Sequence, residues 1–119
     1  MKTINIQYLY FDDKVCGRCK DTEVELKQAV AEFRNANQNV RINLEKKRLS
    51  KGEIEKSPTI LVDGLDLETL ISPASEQQAS HCEDCSCLTG KDVSCRSYGE
   101  NDQLTKEQIL TALENYVRN

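Results

Sequence analysis

Two cysteines spaced as Cys16-Gly17-Arg18-Cys19 stand near the start of the chain. Four more, Cys82, Cys85, Cys87 and Cys95, crowd into fourteen residues further on. A thiol at its ordinary pKa is mostly protonated at neutral pH and reacts slowly. A positive environment favours the reactive thiolate. Cys16 stands where a strand-like segment gives way to a helical pattern. The unpaired N–H groups and the dipole of a helix start favour negative charge there. Lys14, Arg18 and Lys20 add positive charge nearby. Cys16 is therefore the candidate nucleophile. Cys19, one helical turn on and buried by the helix, is the candidate resolving thiol. The spacing lets the two sulfurs bond. Two other uses stay open: half of a metal site, or a pair of cysteines without chemistry.

The second group, Cys82-x2-Cys85-x-Cys87-x7-Cys95, offers four thiolates, the number a tetrahedral zinc site takes, with C-x2-C as a usual half-site. His81 could replace one ligand. Bound metal would order a polar segment that has little apolar surface of its own to bury. Clustered thiolates also suit soft metals and metalloids. The same cysteines could instead relay disulfides to or from Cys16, or stand unused in a loop.

Something must hold these groups in place. Residues 4–11 alternate and then turn continuously apolar, which predicts a central strand. Leu26, Ala29, Val30 and Phe33 recur at helical spacing and predict one apolar face. Asn35 to Asn39 end that helix. Val40, Ile42 and Leu44 alternate with polar residues as a second strand. Residues 46–57 read as a short helix around Leu49–Glu55 or as a loop, with Lys46-Lys47-Arg48 solvated. Pro58 suits the first position of a third strand, because it has no N–H for the ladder. Asp63-Gly64 is a tight hairpin signal, and Leu65–Ile71 the returning strand, with Leu65 and Leu67 inward. Residues 72–103 lose all periodicity. With six acidic and two basic residues, they carry a net charge equal to the whole chain's −4. Thr105 and Gln108 form a capping box ahead of a last helix with Ile109, Leu110, Leu113, Tyr116 and Val117 on one face.

The order strand, C-x-x-C, helix, strand, Ser57-Pro58-Thr59-Ile60, hairpin, helix resembles the thioredoxin and glutaredoxin superfamily over about residues 3–71 and 104–118. More narrowly, it is similar to small thioredoxin-like proteins with a cysteine-rich segment before the last helix. The resemblance implies an α/β, thioredoxin-like fold: a four-stranded mixed sheet, flanking helices and a Cys-rich insert before the C-terminal helix. It implies that Ser57–Pro58 is cis, lies beside the dithiol and presents backbone to an extended substrate, making Pro58 a site residue with Cys16 and Cys19. It implies thiol–disulfide exchange with a protein or small-molecule partner and no cofactor for that step. The chain departs from thioredoxin in having Val15 rather than Trp before Cys16, and Gly-Arg rather than Gly-Pro between the cysteines. A fold retained only as a non-catalytic interaction module is a further alternative.

The whole chain, residues 1–119, is expected to form one domain with the insert at 72–103. In that fold the third strand begins at the dithiol end and the fourth returns to it, so the insert should emerge beside Cys16. A net charge of −4 argues against nucleic acid as partner. No apolar run reaches the ~20 residues that span a bilayer, and the alternating Met1–Ile6 lacks the apolar core of a signal peptide. The expected location is the cytoplasm, where thiols stay reduced. There, six cysteines call for chemistry or metal rather than a disulfide framework.

Overall fold

The first strand, β1 (Lys2–Tyr10), buries Ile4, Ile6 and Tyr8 and turns Asn5 to solvent, because successive side chains of a strand face opposite ways. The computed structural model describes residues 2–11, 17–71, 78–81, 94–98 and 104–118, with 17, 18, 51, 55, 78–81, 95 and 97 described by backbone alone. Helix α1 (Gly17–Ala36) follows. It buries Leu26, Ala29, Val30 and Phe33, as their spacing predicts. It ends where both the backbone and the side-chain amide of Asn37 donate to the Phe33 carbonyl. Strand β2 (Val40–Arg48) then pairs parallel with β1, from Lys2 opposite Val40 to Tyr10 opposite Arg48.

Strand β3 (Thr59–Val62) lies antiparallel on the other side of β1, with Leu9 opposite Thr59 and Ile6 opposite Val62. Asp63 and Gly64, at φ of 49° and 85°, form the two-residue turn whose twist suits a hairpin. The Asn5 N–H donates to Asp63 Oδ1, and the Asp63 N–H donates back to the Asn5 carbonyl. Strand β4 (Leu65–Asp66) completes a sheet of order β2-β1-β3-β4. The protein is thus α/β, with a four-stranded mixed sheet and flanking helices. Helix α2 (Leu67–Ile71) and helix α3 (Lys106–Arg118) add Leu67, Ile109, Ala112 and Leu113 to the core formed by α1 and the inner face of the sheet. No helix among the described residues is long and apolar enough to cross a membrane.

Three local expectations are corrected. The returning strand does not run over Leu65–Ile71: it stops at Asp66, and α2 starts at once. The Asp66 carboxylate accepts the Glu68 N–H, and Thr69 Oγ1 donates to the Asp66 carbonyl, so Asp66 supplies the capping acceptor a helix start needs. Leu65, expected inward, is 49% exposed, whereas Leu67 is fully buried from the helix. Lys46, Lys47 and Arg48 are not loop residues. They belong to β2, where Lys46 pairs with Glu23 and lies over the Tyr10 ring, and Arg48 Nε donates to the Phe11 carbonyl. The chain then makes a 3₁₀ helix over Lys51–Lys56.

The insert is the third correction. Within residues 72–103, β5 (Gln78–His81) and β6 (Ser94–Ser97) form a separate antiparallel pair, with His81 opposite Ser94 and Ser80 opposite Cys95. Apolar alternation is absent from both strands. What seats β6 is a charge and a ring, Arg96 and Tyr98, both buried.

Candidate functional site

The end of the sheet where β1 finishes and β3 begins gathers the described part of the site. Cys19, in the first turn of α1, has no exposed surface. Its carbonyl accepts a hydrogen bond from the Tyr8 hydroxyl, which ties the helix start to β1. The expectation that the helix buries the second cysteine is met. Cys16 directly precedes α1 in the chain but lies outside the described residues.

Ser57 and Pro58 face this end, because β3 begins opposite Leu9. The Ser57–Pro58 peptide bond is cis. Ser57 is fully buried, and both its N–H and its hydroxyl donate to the Ile54 carbonyl, at 2.9 and 2.7 Å. The 3₁₀ helix therefore fixes the approach to Pro58. Strand β4 pairs with β3 only at Leu61 and Val62, so the main chain from Ser57 to Thr59 reaches past it.

Strand β6 lies against that stretch. The Arg96 N–H donates to the Ser57 carbonyl at 2.7 Å, and the Tyr98 hydroxyl donates to the Pro58 carbonyl. The Arg96 guanidinium is buried among acceptors. One nitrogen reaches Thr59 Oγ1 at 2.8 Å and Asp66 Oδ2 at 2.7 Å. The other reaches Asp66 Oδ1 at 2.9 Å and Glu68 Oε1 at 3.2 Å. This is the two-pronged geometry that makes guanidinium–carboxylate pairs strong and directional. Its plane also lies near the Tyr98 ring. Burial works against the charge of Arg96, but Asp66 and Glu68 more than offset it and its pKa is raised. Burial pushes the Tyr98 phenol far above its usual value, against the opposing pull of Arg96.

Arg96, Tyr98, Asp66, Glu68 and Thr59 are not among the residues that sequence reasoning singles out. One signal was available: Tyr98 is the only Phe, Tyr or Trp in residues 72–103, two positions from one of the two basic residues there. Of the thiol cluster, Cys82, Cys85 and Cys87 lie outside the described residues, and Cys95 is placed by its backbone only. Strand β6 meets Ser57 at the end of the sheet where α1 starts; the segment by which the insert leaves α2, and Cys16, beside which it is expected to emerge, lie outside the described residues. A polar hollow of about 500 Å³, lined by Asn5, Gln7, Asn43, Glu45, Asp63 and Gly64, lies by the Asp63 turn, with no cysteine among its described lining residues.

A mixed-sheet α/β protein with a buried cysteine at its first helix start and a strapped Ser57–Pro58 edge is the class these features define. Residues 3–113 match the model of a family described as a domain of unknown function (DUF2703), and the chain belongs to that family. The match runs from β1 into α3. Neither the curated proteins nor the solved structures compared with the chain gave a match.

Proposed function

We propose that the protein is a thioredoxin-like thiol–disulfide oxidoreductase acting through Cys16 and Cys19. The observation that carries this reading is the placement of Cys19: fully buried in the first turn of α1, tied by its carbonyl to Tyr8, at the sheet end where Ser57–Pro58 opens β3. A buried second thiol is shielded from outside reagents yet follows Cys16 by only three residues in the chain. That suits it to attack a mixed disulfide from within. The strand order and the cis Ser57–Pro58 bond support the thioredoxin-like assignment.

In this reading the Cys16 thiolate attacks one sulfur of a protein or small-molecule disulfide. A Cys16–substrate disulfide forms, and the first substrate thiolate leaves and takes up a proton. Cys19, deprotonated, then attacks the Cys16 sulfur and releases the second thiol. The dithiol is oxidised by two electrons, and the substrate disulfide is reduced to two thiols. In the cytoplasm, where we place the protein, two molecules of a small-molecule thiol would restore the pair by the reverse exchange and leave as their own disulfide.

A second reading is favoured by the β5–β6 register. The ladder sets His81 opposite Ser94 and Ser80 opposite Cys95, so the residues that flank segment 82–93 stand side by side. Four thiolates within and beside that segment would fit a zinc or other soft-metal ion. Cys82, Cys85, Cys87 and Cys95 would hold it. This site would order the insert without taking part in the dithiol step.

Thiol titration with a chromogenic aromatic disulfide at pH 7, with and without a strong chelator, tests both readings. The expected result is a fast reaction that Cys16→Ser abolishes, with four further thiols released only after chelation. Should no thiol react faster than free cysteine, the dithiol reading falls and a non-catalytic interaction module takes its place. If chelation releases none, the metal reading falls.

A further inference from the structure

The main-chain edge at the mouth of β3 is already in use. Strand β4 ends before it, which leaves the carbonyls of Ser57 and Pro58 as acceptors at the sheet end shared with Cys19. An extended segment docking on a sheet gains its affinity from such main-chain groups. The chain's own residues 94–98 take both: Arg96 N–H on Ser57 and Tyr98 hydroxyl on Pro58.

We propose that β6 is an internal plug, an autoinhibitory strand that an extended disulfide-bearing peptide must displace from Ser57–Pro58. The role rests on the dithiol reading above, since that reading makes this edge a place where a partner would lie. Three observations support a plug rather than a permanent wall. Strands β5 and β6 pair with each other and not with the main sheet. A two-stranded ribbon alone is marginal in water, so its seat depends on what it grips. The grip is a buried guanidinium between two carboxylates, and such a cluster specifies position more than it adds net stability, because desolvation offsets much of its attraction. Apolar residues replacing all three charges together would hold the strand at least as firmly, whereas removing one charge alone leaves its partners buried and unpaired. The charges instead give one defined seat.

The test uses the full chain, with Glu68→Gln as the mild variant and Arg96→Met as the severe one; Glu68→Gln is the variant read if Arg96→Met does not fold. Amide exchange at residue 96 reports the seat, and the Ile6 amide reports the core. Reduction of a small aromatic disulfide and of an extended peptide disulfide reports access. Loss of one charged hydrogen bond is expected to speed exchange at residue 96 and reduction of the peptide about tenfold. The small-disulfide rate and Ile6 exchange should stay the same. The plug is overturned if residue 96 exchanges only as slowly as Ile6 in wild type and in Glu68→Gln alike, or if both disulfides speed up in proportion. If the small disulfide is reduced but Glu68→Gln leaves the peptide rate unchanged, the plug falls and the dithiol reading stands. If neither disulfide is reduced, the dithiol reading falls and takes the competitor role with it, whatever the exchange at residue 96.

Discussion

Tyr98 shows how much one side chain in the insert contributes. Its phenol is buried and bonded to the Pro58 carbonyl, and burial, partly opposed by Arg96, raises its pKa in the folded protein. A folded value above the unfolded one means that the stabilising contribution is complete below the unfolded value of about 10. It is lost as pH rises beyond that, at up to about 1.4 kcal/mol per pH unit. Urea unfolding compared at pH 8 and pH 11 should show a steeper loss for wild type than for Tyr98→Phe. At neutral pH the variant itself should cost about 1–2 kcal/mol, from the unmade bond to a buried carbonyl. Cys19 is the opposite case. Its burial was legible in advance, because Cys19 stands seven residues before Leu26, on the face that α1 turns to the core. Arg96 was legible only as a charge in an acidic stretch, since its acceptors Thr59, Asp66 and Glu68 stand far away along the chain.

At the scale of elements, the long ones follow their periodicity and the short ones follow single capping contacts. The last helix was marked by Thr105 and Gln108. In the structure Gln108 Oε1 accepts the Thr105 N–H, while the Gln108 N–H donates to Thr105 Oγ1. Thr105→Ala should therefore lower stability by about 1 kcal/mol, read as a shifted urea midpoint with an unchanged slope. By contrast, Leu65–Ile71 reads as a strand by its leucines, and the Asp66 carboxylate on the Glu68 N–H turns it to helix from Leu67. Strands β5 and β6 have no apolar alternation. Nothing in Gln78–His81 or Ser94–Ser97 announces a strand until the two segments meet each other.

In the whole molecule, α1, α2 and α3 share one core with Ile4, Ile6 and Tyr8, and Leu113 lies fully buried within it. Leu113→Ala should cost about 2–5 kcal/mol by leaving a cavity, measured by chemical denaturation. That core holds the end of β1, the start of α1 and the start of β3 in fixed relation, and it thereby positions Cys19 and Pro58. The amino-acid sequence alone determined β1 and the helix that begins just before Cys19, the hairpin at Asp63-Gly64 and the capping box. These rest on periodicity and on contacts a few residues apart, which any local window contains. Only the tertiary structure decided that Arg96 and Tyr98 occupy the Ser57–Pro58 edge. A buried charge is stable only where partners surround it, and those partners come from β3, β4 and α2, which meet only in the folded chain.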